Sequence, residues 1–255
     1  MKRSGRMLAI YAGLALLFLH LPLLILAIFS FNVSPFTVWQ GFSLHWYYAA
    51  FQDPELAESA WNSIVIAIVS TVASTVIGTL CAYGLWKRNS PVLSNSLYLS
   101  LVTPEIVTGI SLLAFYQWIF RFWHVQLGMH TVILAHISFS IAFVVIVVMA
   151  RLRTMDATLE EAALDLGANE WQAFRLVTLP GIWPGVIAAA LLAFTVSFDD
   201  YVITSLVAGV DSETLPMAIY ALARRGVSPV VNAISALIVF GLGALIVISE
   251  RLRAA

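Results

Sequence analysis

Residues 130–150 have the sequence HTVILAHISFSIAFVVIVVMA, a run of 21 residues without Asp, Glu, Lys or Arg. A helix needs about 20 mostly apolar residues to cross the hydrocarbon core of a bilayer, and this run is long enough. The whole chain of 255 residues shares this character, since 61% of its residues are hydrophobic and only 11% are charged. Soluble domains have about 45–50% apolar and about 25% charged residues. The composition therefore excludes a soluble globular enzyme or a disordered chain and predicts an all-α membrane protein.

Runs of similar character predict six transmembrane helices: 7–31, 60–86, 95–120, 130–150, 181–208 and 230–250. The first run follows three basic residues, but it is too long for a cleaved signal peptide and lacks a cleavage site. We therefore expect a retained anchor. We divide the chain into an N-terminal helix with its outer loop, 1–59, and a membrane core, 60–250, which contains an internal loop at 151–180.

The distribution of Lys and Arg predicts the orientation. With the N-terminus in the cytoplasm, ten basic residues lie inside: Lys2, Arg3, Arg6, Lys87, Arg88, Arg151, Arg153, Arg175, Arg251 and Arg253. Only Arg121, Arg224 and Arg225 lie outside. Because cytoplasmic loops of membrane proteins carry the excess of basic residues, we expect both termini in the cytoplasm.

The loop 151–180, RLRTMDATLEEAALDLGANEWQAFRLVTLP, is unusually long and amphipathic. Apolar residues from Met155 to Leu166 recur at helical spacing beside acidic residues, which predicts a short helix. Gly167 ends that helix as a C′ residue would, and a second short helix follows before Pro180. The acidic face disfavours binding to anionic lipid. A knob that docks into another protein's groove and a structural surface loop both remain open on this pattern.

The spacing of the loop adds a family resemblance. Glu161-Ala162-Ala163, three residues, Gly167, nine residues and then Val177-x-Leu179-Pro180 resemble the EAA loop of binding-protein-dependent ABC importer permeases. The resemblance implies a type I importer permease fold in a bacterial inner membrane. It also implies that Glu161, Ala162, Ala163, Gly167, Leu179 and Pro180 couple the chain to a cytoplasmic ATPase dimer.

The same resemblance implies further partners: a second, homologous permease and a periplasmic substrate-binding protein. The sequence has no GxxxxGK[ST] motif to cradle ATP phosphates. We therefore expect no cofactor and no catalytic residue in this chain, with ATP and Mg²⁺ bound by the partner ATPase. We also expect no metal site, because His20, His130 and His136 lack metal-ligand spacing.

A few acidic residues within the predicted spans indicate what the protein transports. Glu105 follows Thr103-Pro104 about ten residues into the third span, so about 15 Å deep at 1.5 Å per residue, and Pro104 can kink the helix there. Asp199 and Asp200, followed by Tyr201, lie near the outer end of the fifth span, and their side chains point about 100° apart. Carboxylates on a path suit a cationic amine. An aspartate that caps a helix and a protonated Glu105 in a core hydrogen bond are the structural alternatives.

Several stretches resemble spermidine/putrescine importer permeases: TPEIVTGISLL at 103–113, HISF at 136–139 and FTVSFDDYVITSLVAG at 194–209. Those permeases usually have aspartate where this chain has Glu105, so the charge is kept. The resemblance implies polyamine import by alternating access. For His136 two interpretations stay open, a packed histidine and a further residue of the path. The alternatives are a permease for another small amine and a proton-coupled secondary transporter; an intramembrane enzyme is disfavoured because GxSxG and HExxH are absent.

Overall fold

A computed structural model describes the backbone of residues 2–35, 38–88, 90–123, 125–226 and 229–254, and the side chains of these residues except 2–6, 123 and 242–254. Within them the regular elements are helices, with one isolated β-bridge between Asn32 and Phe42. The helices are α1 (Lys2–Phe29), α2 (His45–Gln52), α3 (Pro54–Lys87), α4 (Pro91–Val102), α5 (Glu105–Trp123), α6 (Met129–Leu152), α7 (Thr158–Asp165), α8 (Glu170–Ala173), α9 (Leu179–Asp199), α10 (Val202–Val207), α11 (Leu215–Arg224) and α12 (Pro229–Ala254). The predicted all-α fold is confirmed.

Four helices of the described chain are each long and apolar enough to cross a membrane: Met7–Phe29, Pro54–Lys87, Met129–Leu152 and Glu170–Asp199. A fifth candidate is the bent pair α4 and α5. The sixth predicted span lies within α12, a helix of 26 residues. The six predicted spans thus correspond to helices, although two of them are broken.

The third predicted span, 95–120, is not one continuous helix. The helices α4 and α5 meet at an angle of 108° across Thr103-Pro104. Proline disfavours the helical conformation of the residue before it, and Thr103 accordingly has extended angles, φ −66° and ψ 127°. The expected kink at Pro104 is therefore a complete break. The predicted depth of about 15 Å for Glu105 assumed a straight helix and therefore does not apply to the broken span.

The fifth predicted span, 181–208, is broken as well, and no proline is at the break. The helix α9 ends at Asp199, Asp200 is extended (φ −66°, ψ 126°), and α10 begins at Val202. Before α9 the chain forms one turn of π-helix (the π-turn), Phe174–Thr178, that joins α8 to α9. The continuous helix therefore begins before residue 181 and ends before residue 208, which were the predicted bounds of the span.

The chain divides into two compact units, Met1–Glu58 with Ala218–Ala255, and Ser59–Met217. In the first unit α1 and α2 pack on α12. The loop after α1 is ordered by the buried Asn32, whose side-chain amide donates to the carbonyl of Val38 (2.8 Å) and whose side-chain oxygen accepts from the Gln40 backbone N–H (2.9 Å). No residue in the most apolar window of α1 is buried within the chain, as expected for a helix that faces lipid.

In the second unit α6 packs along α9 and also contacts α10, while α5 packs on α10. Two clusters of buried apolar side chains form its core. One includes Val144, Val148 and Ile182, and the other includes Ile66, Tyr116 and Ile203. These clusters hold the helices whose ends carry the predicted functional residues.

Candidate functional site

The loop 151–180 forms a helical hairpin, and its turn has the predicted geometry. Gly167 has a φ of +92°, a conformation that glycine adopts without the cost of a Cβ. The N–H of Ala168 donates to the carbonyl of Ala163 (3.1 Å), and the N–H of Gly167 donates to that of Leu164 (2.9 Å). These two bonds define a Schellman motif. Gly167 is therefore the C′ residue of α7, as expected.

The second helix of the hairpin starts with a capping box. The Asn169 side chain accepts from the Gln172 backbone N–H, and the Gln172 side chain accepts from the Asn169 backbone N–H, both at 2.9 Å. This reciprocal pair satisfies two donors that a helix start leaves open. The short α8 is thereby fixed in direction before it continues through the π-turn into α9.

The outer face of the hairpin exposes large apolar side chains. Leu166 is 89% exposed and Trp171 is 60% exposed, and Leu159 and Leu176 are exposed as well. A cluster of large exposed apolar side chains is typical of a protein interaction site. The predicted coupling residues lie on or beside this surface: Glu161 and Ala162 are exposed on α7, Ala163 is half-buried, Gly167 is exposed in the turn, Leu179 is half-buried, and Pro180 is exposed.

Glu160, which the sequence analysis did not single out, is only 1% exposed. Its Oε1 accepts a hydrogen bond from the Tyr83 hydroxyl (2.7 Å) and lies 2.5 Å from Lys87 Nζ. Its Oε2 accepts from the Thr178 hydroxyl (2.8 Å). Burial by itself raises the pKa of the Glu160 carboxyl, but the hydrogen bonds from these three donors and the Lys87 charge outweigh burial and lower the pKa.

The predicted path residues in the third span lie at the α4–α5 break. Glu105 is exposed in the first turn of α5. There its carboxylate complements the partial positive charge of the helix N-terminus. Thr103 is half-buried and donates its hydroxyl to the carbonyl of Leu99 (2.8 Å). The break therefore presents one carboxylate at the surface.

Asp199 and Asp200 have different surroundings. Asp199 is exposed at the end of α9, whereas Asp200 is 9% exposed. Asp200 Oδ1 accepts from the Ile203 backbone N–H (3.3 Å), and Oδ2 accepts from the Thr204 N–H (2.8 Å) and hydroxyl (2.7 Å). Asp200 thus caps α10, and Asp199 is the carboxylate that remains accessible. Tyr201 follows them and is half-buried.

His136 is buried in a polar network that joins four helices. Its Nδ1 lies 2.6 Å from the Ser197 hydroxyl, and its Nε2 lies 2.9 Å from the Thr204 hydroxyl and 3.4 Å from Asp200 Oδ2. Ser197 in turn is 2.9 Å from the Ser70 hydroxyl. His136 therefore lies behind the α9–α10 break. No group of three His, Cys, Asp or Glu side chains within the described part of the chain could hold a metal ion.

The two breaks lie at the same end of a helix pair. A Cβ at Gly109 would lie 2.6 Å from Leu206 and 3.4 Å from the Ile203 Cα, so α5 and α10 approach closely there. Farther along, Gln117 of α5 shares a cavity with Gly209, just after α10. The two helices therefore run in the same direction, which brings their first turns, with Glu105 and the two aspartates, to one end.

Comparison with known proteins agrees with this architecture. A model of the family "Binding-protein-dependent transport system inner membrane component" matches residues 74–254. The spermidine/putrescine transport system permease protein PotC of Escherichia coli (strain K12) is 39% identical, over 99% of this chain and 93% of its own length. The putrescine transport system permease protein PotI of the same strain is 40% identical, over 89% of this chain and 83% of its own length.

A solved structure supports the fold. It is that of a bacterial ABC transporter involved in the import of the acidic polysaccharide alginate, and it matches with a TM-score of 0.72 and 16% identity, over 99% of this chain and 96% of that one. The predicted importer-permease fold is confirmed. With the family match over residues 74–254, this chain belongs to the inner membrane components of binding-protein-dependent transport systems.

Proposed function

We propose that this permease subunit moves spermidine or putrescine from the periplasm to the cytoplasm by alternating access, driven by ATP hydrolysis in a partner. The observation that carries the proposal is the exposed apolar hairpin at 151–180, whose EAA spacing lies within the matched family region. The substrate class rests on the similarity of this chain, over most of its length, to PotC of a spermidine/putrescine transport system and PotI of a putrescine transport system.

The partners follow from the same reasoning. As an inner membrane component the chain is the permease subunit and not the ATPase. We infer that a cytoplasmic ATPase dimer binds ATP and Mg²⁺ and contacts the hairpin, that a second permease completes the channel, and that a periplasmic binding protein delivers the substrate. The excess of basic residues in the loops on one side supports cytoplasmic termini. Because only a contact that differs between two states can drive a transition, the hairpin must sit differently on the ATPase in the inward and outward states.

Glu105 and Asp199 are the residues that we assign to the substrate. Both carboxylates are exposed at helix breaks that lie at one end of the α5–α10 pair. A polyamine carries several ammonium groups, which pair with carboxylates. Thr103 and Tyr201 flank the two carboxylates. We assign Asp200 and His136 to support of the path and not to substrate contact, because their polar atoms already bind one another and α10.

The test is the ATPase activity of the reconstituted complex with its binding protein. The solutes are spermidine, putrescine, an aminophosphonate and an inorganic anion. Stimulation by the polyamines alone supports the proposal. Stimulation by another solute contradicts the substrate class but keeps the importer, and uptake without ATP in a proton gradient points to a secondary transporter instead.

A second test addresses the hairpin itself. Glu161→Lys reverses an exposed charge on α7, and Gly167→Pro cannot adopt the φ of +92° that the turn requires. Both variants should insert into the membrane and lose ATP-dependent uptake. Normal uptake by both variants would refute docking through this hairpin.

A further inference from the structure

The acidic pair Glu160-Glu161 on α7 divides between two surfaces. Glu161 is exposed on the side of the hairpin that we assign to the ATPase, whereas Glu160 is 1% exposed and points into the protein. Successive side chains on a helix point about 100° apart, so one short helix can carry both contacts. The inward carboxylate of Glu160 therefore cannot take part in docking to the ATPase.

Glu160 joins three segments of the chain. Tyr83 and Lys87 are one turn apart at the end of α3, and Thr178 lies in the π-turn that leads into α9. Each of these three side chains binds a carboxylate oxygen of Glu160. One carboxylate thus links the hairpin to the ends of two helices that are long enough to span the membrane.

Aromatic packing surrounds the same point. The Phe174 ring in the π-turn lies 4.6 Å from the Tyr83 ring, and the Trp171 ring lies 5.5 Å from Phe174. Lys87 Nζ lies over the Trp86 ring at 5.5 Å. The Glu160 carboxylate beside them is only 1% exposed, and hydrogen bonds to a charged group in such surroundings are short and strongly directional.

The ion pair joins the buried carboxylate of Glu160 to Lys87, whose side chain is 36% exposed, and such a pair by itself contributes little to stability. The ion pair and the two hydrogen bonds instead fix geometry, because three donors define one position for the Glu160 carboxylate and therefore for α7. We propose that Glu160 is a positioning residue of the transport cycle, which makes the hairpin move together with α3 and α9 when the ATPase moves it. This inference rests on the proposed function.

The first experiment measures how firmly α7 is held against α3 and the π-turn when no partner protein is present. Hydrogen exchange of the α7 amides is followed in the full chain in lipid nanodiscs, for Glu160→Gln and for the matched variant Glu161→Gln. Loss of the inward contacts should open α7 more often, so exchange in Glu160→Gln should be at least about tenfold faster. Glu161→Gln should exchange like the wild type. Equal exchange in both variants would overturn the proposal.

The second experiment measures coupling in the assembled transporter. Substrate moved per ATP hydrolysed should fall about tenfold in Glu160→Gln, within the 5–150-fold range of typical coupling free energies, while ATP is still hydrolysed. Tyr83→Phe and Thr178→Val each remove one donor and should lower the same ratio less. A wild-type ratio in all three variants, or parallel loss of transport, ATPase activity and assembly, would overturn the positioning role. Absence of solute-stimulated ATPase activity in the wild-type complex would instead count against the proposed function.

Discussion

Replacing Asp200 with alanine tests the different roles of the adjacent aspartates. The change leaves two backbone N–H groups, of Ile203 and Thr204, without their acceptor, and it removes the carboxylate partner of His136. A buried donor without a partner costs about 1–3 kcal/mol, so we expect a loss of about 4 kcal/mol in the free energy of unfolding. At about 2–4 °C per kcal/mol for a chain of this size, the melting temperature should fall by roughly 8–16 °C.

The assay is thermal unfolding of the purified chain in detergent at one fixed scan rate, because membrane proteins seldom unfold reversibly and scan rate then changes the apparent midpoint. Asp200→Asn keeps one acceptor and should give an intermediate shift. The matched control is Asp199→Ala, which removes an exposed carboxylate and should change stability by less than about 0.5 kcal/mol. Equal midpoints for Asp199→Ala and Asp200→Ala would refute the assignment of the cap to Asp200.

Three further predictions address other parts of the chain. Glu105→Gln should lower spermidine uptake at least about tenfold, the effect of losing only about 1.4 kcal/mol of binding, without changing membrane insertion; wild-type uptake would remove Glu105 from the path. In Gly209→Ala, a Cβ would lie 1.7 Å from the carbonyl oxygen of Leu127, so thermal unfolding should show a loss of about 1–3 kcal/mol. Gly84→Ala, whose Cβ would meet no atom within 4 Å beyond the adjacent backbone of its own helix, should not be destabilised. The lowered pKa of Glu160 means that its contribution to stability is complete above the ordinary value of 4.5 and disappears as the pH falls through the lowered value. The protection of the α7 amides, which is obtained from their exchange rate corrected for the intrinsic pH dependence of amide exchange, should therefore decrease below about pH 4.5 in the wild type and stay constant in Glu160→Gln; identical pH profiles would contradict this.

The spans and the hairpin turn could be predicted because each depends on local signals. Apolar run length identified the membrane helices, and Gly167 was recognisable as a C′ residue from its place after an amphipathic helix. The break at Thr103 also had a local cause, since Pro104 restricts the residue before it. Only the size of the bend, 108°, exceeded what a proline kink suggests.

The roles of individual acids could not be predicted, because they depend on residues far away in the chain. Nothing local distinguishes Glu160 from Glu161, and the donors that select Glu160 include Tyr83, 77 positions earlier. Similarly, Asp200 is distinguished from Asp199 by His136 and by the start of α10. The break between α9 and α10 was missed because a capping aspartate within an apolar run resembles an ordinary intramembrane acid.

The continuity of the helix from Glu170 to Asp199 has a mechanical consequence. Its 30 residues form a rod at most about 45 Å long at the α-helical rise of 1.5 Å per residue. The exposed Trp171 lies near one end of this rod, and Asp199 is its last residue at the other. A tilt of about 10° about one end would displace the other by roughly 8 Å over this length, and any bend at the π-turn or at Pro184 would reduce this displacement. If a partner ATPase moves the hairpin as proposed, this helix connects the moving end to the Asp199 carboxylate.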